Sequence, residues 1–80
     1  MKIEIRITHR PFRLYNAKTK KYMPWRCYKH FRNAHIGALI EARWAPHVGA
    51  VIEVVDVSKG RMVGQYRRGL TSVIFSKGDE

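Results

Sequence analysis

AVIEVVDVSKGRMVGQYRRG, residues 50–69, is the stretch that decides the fold. Five of its first eight residues are β-branched, which suits a half-buried pleated surface and predicts a central strand over residues 50–57. Ser58-Lys59-Gly60 predicts a turn, with Gly60 taking the left-handed position at the end of a short hairpin loop. The chain returns as a strand over Arg61–Arg67, with Gly64 marking a bulge. After Arg68-Gly69 a last strand covers Thr71–Ser76. Lys77–Glu80 is expected to be a frayed tail.

Upstream lies the one helix, expected over Tyr28–Ala45. Phe31, His35, Ala38 and Ala42 recur at helical spacing, as do Ile36, Leu39 and Ile40 with Trp44. Pro46 and Gly49 close it. Gly37 inside it costs about 1 kcal/mol relative to Ala and suggests a close approach to the sheet. Further upstream, KIEIRIT (residues 2–8) alternates strictly and predicts a half-buried strand, broken at Pro11. Phe12–Tyr15 forms a second strand, residues 16–20 a turn, and Lys21–Met23 begins the return, which Pro24 limits to an edge or ends. YNAKTKKYM (15–23) echoes VDVSKGRMV (55–63), which supports two similar hairpins. The expected order is β-β-β-α-β-β-β: an α+β fold, an antiparallel sheet built from two hairpins with one helix packed on it. Eighty residues make one compact domain, 1–80.

The formal charge is +10, and residues 1–35 hold ten Lys or Arg against one acid. A charged half implies a face that attracts phosphate or an acidic partner. No apolar run is long enough to cross a bilayer, and the N-terminus lacks the apolar block of a secretory signal. The expected setting is the cytoplasm, without membrane association. One cysteine, Cys27, allows no internal disulfide; it is left as buried, free, or a link in a homodimer, so both monomer and homodimer stay open.

Six scattered acids give no paired carboxylates for acid/base hydrolysis. Cys27-x-x-His30 lacks a second ligand pair for zinc, and GRMVGQYRRG lacks the strand-loop-helix context of a nucleotide loop. No metal or cofactor is therefore expected. Tyr66, Arg67, Arg68 and His30 supply residue types found in small toxin-like ribonucleases, which keeps that enzyme class as an alternative.

Binding is the main expectation. In KTKKYMPWRCYKHFR (18–32) six of fifteen residues are basic, none is acidic, and aromatics recur every third position. Lys18, Lys20, Lys21, Arg26, Lys29 and Arg32 are the candidate contact residues, extended by Arg67 and Arg68. Tyr22 and Tyr28 are candidates for stacking on unpaired bases. Trp25 and Phe31 are expected to turn inward. Arg, Tyr and Trp together also suit a protein interface, so direct DNA or RNA binding and docking on a protein are both carried forward.

RPFRLYNAKTKKYMPWRCY (10–28) followed by IEVVDVSKGRMVGQYRRG (52–69) resembles, in overall character, the small phage and prophage proteins of the anti-CRISPR group. The resemblance assigns no single residue a role. It implies non-catalytic inhibition inside a bacterial host cell, by occupying a site on a CRISPR effector complex meant for target DNA or a nuclease. The basic charge departs from the acidic DNA mimics of that group, so the surface covered would be acidic or mixed, or the nucleic acid itself.

Overall fold

A computed structural model of the chain describes residues 10–78. Its strands are β1 (Phe12–Asn16), β2 (Lys21–Tyr28), β3 (Val51–Asp56), β4 (Arg61–Arg68) and β5 (Val73–Lys77), with helix α1 (Phe31–Arg43) between β2 and β3. All neighbours pair antiparallel in the order β2-β1-β3-β4-β5. The α+β class, the one helix among the described residues and the central place of residues 51–56 agree with the sequence. The strand count is corrected: among the described residues two strands precede the helix and three follow. The strand expected over residues 2–8 lies outside the described residues.

Alternation divides the sheet into two faces. Leu14, Ile52, Val54 and Tyr66 point toward α1 and are fully or almost fully buried. The helix meets them with Ala34, Gly37, Ala38 and Ala42, all buried. These small residues bring the helix axis close to the sheet, and Phe12, Met23, Tyr28, Phe31, Leu39, Val63 and Val73 close the margins. The opposite face carries Arg13, Tyr15, Glu53, Gln65, Arg67 and Ile74 in register. There Gln65 donates to Glu53 at 3.3 Å, and the Tyr15 and Tyr22 rings lie 4.9 Å apart.

Both hairpins turn by the same chemistry. Asn16 Oδ1 accepts from the amides of Lys18 and Thr19, and Asp56 Oδ1 accepts from Ser58 N and Ser58 Oγ. An acceptor that bonds its own backbone two residues on holds the chain in a turn. Each loop then ends in the left-handed region, at Lys20 (φ 59°) and Gly60 (φ 64°). The bulge falls where Gly64 suggests it: the register steps from Val54↔Gly64 to Val55↔Met62.

β2 departs most from expectation. The strand does not stop at Pro24; it runs on to Tyr28, and the register jumps between Arg13↔Cys27 and Tyr15↔Tyr22. The excess residues loop out around Pro24, which costs no central ladder bond because β2 is an edge among the described strands. Two corrections follow. Trp25 sits on this bulge, 74% exposed rather than inward. Tyr28 belongs to the strand and not to the first helical turn, since α1 begins only at Phe31. Its ring lies against Gly37, where an added Cβ would meet Tyr28 Cζ at 2.9 Å; that contact is the close approach Gly37 permits. Phe31 packs inward against Phe12 as expected, with ring centroids 6.0 Å apart. At the other edge, β5 extends through Lys77, and Gly78 N donates to Val63 O at 3.2 Å, so the sheet continues into the segment expected to fray.

Candidate nucleic-acid interface

Strand polarity sorts the cations to two ends. β1 carries the chain away from Phe12 toward the turn at 17–20, and β2 returns it to Tyr28 opposite Phe12. The tip of the first hairpin therefore lies beside the C-terminus of α1. The end of β2, the start of α1 and the turn of the second hairpin lie together at the opposite end, because Phe12 also pairs with Asp56. The ends are separated by the length of β1, about 13 Å at ~3.3 Å per residue, plus the turns.

The basic stripe of residues 18–32 is thus split. Lys18, Lys20 and Lys21 stand at the C-terminal end of the helix with Arg67, Arg68 and Arg43. Lys29 and Arg32 stand at its N-terminal end with Lys59, Arg61 and Lys77. The last three were not selected from sequence; the signal available was the echo between the hairpins, which places Arg61 and Lys21 at equivalent turns at opposite ends. Tyr22 remains exposed.

Three expected contact residues are engaged inside the molecule. Arg26 donates from Nε to Glu41 Oε2 at 2.9 Å and from Nη1 to the Tyr28 hydroxyl at 3.0 Å, and its Nη2 lies 2.7 Å from the same carboxylate oxygen. The bonds to Tyr28 and Glu41 raise its pKa, so the guanidinium is held charged. Tyr28 is placed between Arg26 and Gly37 rather than presented for stacking. Arg68 donates from Nη1 to the carbonyl of Ala45. Cys27 is half-buried on β2, its Sγ 3.3 Å from Pro24 O.

The residues considered for RNA cleavage are not brought together. Tyr66 is fully buried; its hydroxyl lies 2.5 Å from His35 Nδ1, and desolvation pushes its pKa up to about 12. Arg67 and Arg68 alternate to opposite faces, and His30 lies at the far end of the helix.

Residues 10–78 hold fourteen Lys or Arg and three acids. Each acid is occupied: Glu41 by Arg26, Glu53 by Gln65, Asp56 by Ser58. Arg26 and Glu41 form an ion pair. Lys18, Lys20, Lys21, Lys29, Arg32, Arg43, Lys59, Arg61 and Arg67 are exposed, which favours an external anion.

Each end also holds a cavity. At the C-terminal end, about 580 Å³ opens between Leu39, Arg43, Arg68 and residues 69–73. At the N-terminal end, about 570 Å³ opens between Phe12, Phe31, Val63 and Phe75, with Asp56 at its base and Lys59, Arg61 and Lys77 around it. No helix of the described residues is long and apolar enough to cross a membrane. No protein-family model matches the chain, and neither the curated proteins nor the solved structures contain a match to it.

Proposed function

We propose that this chain is a non-enzymatic basic binding module that docks on a bacterial nucleoprotein complex through contacts to phosphates. The narrower form of the proposal is an inhibitor of the anti-CRISPR type, covering the site of target DNA or nuclease on a CRISPR effector complex. The observation that carries the broader reading is the occupation of every described acid by an internal bond, with exposed cations grouped at the two ends of the helix, Lys18, Lys20, Lys21 and Arg67 at one and Lys29, Arg32, Lys59 and Arg61 at the other. Phosphate is the anion that such clusters neutralise most effectively, because each contact releases condensed counterions.

A salt-titrated mobility shift tests the broad form. Contacts to about five duplex phosphates give a log–log slope near −4 to −5. No complex with DNA or RNA at low salt removes direct binding, and a lysate pull-down with and without nuclease then separates a protein partner from a nucleic-acid one. The narrow form is tested by target-cleavage assays with purified effector complexes; cleavage unaltered across CRISPR types ends it. Direct binding of single-stranded nucleic acid is the second reading, favoured by the aromatic lining of the cavity at the N-terminal end.

A further inference from the structure

We infer that the groove at the N-terminal end of α1 is a nucleotide subsite: it takes one unstacked base bearing an exocyclic amino group, with the attached phosphate at Lys59 and Arg61. This rests on the proposed binding of nucleic acid.

Three kinds of surface meet there. Phe12, Phe31 and Phe75 supply aromatic walls; Phe31 is half-buried and Phe75 is exposed. Exposed rings at a charged end of a protein are the usual platform for an unpaired base. Lys59 and Arg61 flank Gly60 at the hairpin tip; both are exposed, and while the Lys59 amide donates to Asp56 O at 3.2 Å, their charged heads make no bond among the described residues. The helix N-terminus lies on the same side. His30 caps it with no side-chain bond, and its first turn holds no acid, so its amides add positive potential.

The third surface is Asp56, only 5% exposed. Its Oδ1 is taken by Ser58 N and Oγ, and Oδ2 has no bond among the described residues. A carboxylate repels phosphate, so the phosphate stays with Lys59 and Arg61. What reaches Asp56 must donate an N–H. Cytosine and adenine offer an amino group, and guanine an amino group beside a ring N–H. Thymine and uracil offer one ring N–H between two carbonyls, which a carboxylate disfavours. A cavity of about 570 Å³ is within the range of small-ligand sites and admits one nucleotide.

The test is fluorescence anisotropy on the whole chain with labelled dC12 and dT12 at low salt. The expected result is about tenfold tighter binding of dC12. Asp56→Asn keeps the shape and the turn acceptor but not the carboxylate; it should bring the two within about twofold without lowering dT12 affinity. K59Q/R61Q should weaken both about tenfold. A measurement on the wild type removes dependence on variant folding: CMP should shift the NMR amide signals of residues 56–61 and 75 more than TMP does, and leave those of 17–21 in place. Equal binding of dC12 and dT12, a preference that survives Asp56→Asn, or shifts confined to 17–21 each overturn the subsite while leaving the binding module intact. No binding of any oligonucleotide overturns both.

Discussion

Removing the Arg26–Glu41 pair tests whether Arg26 is a structural residue or a contact residue. Two guanidinium nitrogens reach one oxygen, Glu41 Oε2, at 2.7 and 2.9 Å, and a third reaches the Tyr28 hydroxyl. The Coulomb energy at 2.7 Å is about 1.5 kcal/mol at the dielectric of water and about 6 kcal/mol at an effective value of 20. Both side chains keep roughly a quarter of their exposure, so screening and side-chain ordering reduce the net term to about 0.5–1 kcal/mol. In urea denaturation followed by far-UV circular dichroism, Arg26→Ala should cost about 1–2 kcal/mol, because the Tyr28 bond is lost as well. The double-mutant cycle with Glu41→Ala should give a coupling of about 0.5–1 kcal/mol that shrinks as salt screens the pair. The salt slope for nucleic-acid binding should change by less than about half a unit, since Arg26 does not count among the phosphate contacts. A coupling indistinguishable from zero, together with a slope reduced by about one, would refute the structural role and return Arg26 to the contact face.

Three further outcomes are expected. Tyr66 should titrate near pH 12 in an ultraviolet absorbance titration; the folded state then holds a proton the unfolded state has lost, so stability is full below pH 10 and falls by about 2 kcal/mol between pH 10 and 12, a loss that Tyr66→Phe should abolish. Lys20→Gly should stabilise the first hairpin by about 0.5–1 kcal/mol and Gly60→Ala should destabilise the second by about 1 kcal/mol or more, because both positions have positive φ; thermal melts with the opposite signs would contradict the shared turn geometry. Trp25 and Trp44, 74% and 77% exposed, should emit at long wavelength and be quenched far better by iodide than by caesium, since the surrounding charge attracts the anion; a blue-shifted, protected emission would place a tryptophan inside.

The elements with local chemistry were legible in the sequence. The β-branched run of residues 51–56, the acceptors Asn16 and Asp56, Gly60 at its turn and the small helix residues each declare a backbone state within a few positions. What was not legible depends on pairing across the sheet. Trp25 turns outward because β2 bulges at Pro24, a feature fixed by register with β1 and not by periodicity. Tyr28 suits a helical stripe and a strand equally, and its seat on Gly37 decided for the strand. The candidate surface was mixed in the same way. The sequence showed how basic residues 18–32 are, but strand polarity sends the turn lysines and Lys29/Arg32 to opposite ends. The groove joins residues from β1, α1, β3, β4 and β5, which no local pattern brings together.

The looped-out segment around Pro24 has a consequence for self-association. A sheet recruits another strand only where an edge offers an uninterrupted row of amides and carbonyls. Among the described strands β2 offers an interrupted one, because Pro24 lacks an amide proton and the strand loops out around it. β5 is the remaining edge. Two copies that met there would pair about a twofold axis and present only broken edges outward. Of the described strands, then, the one whose geometry displaces Trp25 is also the poorer template for a further strand.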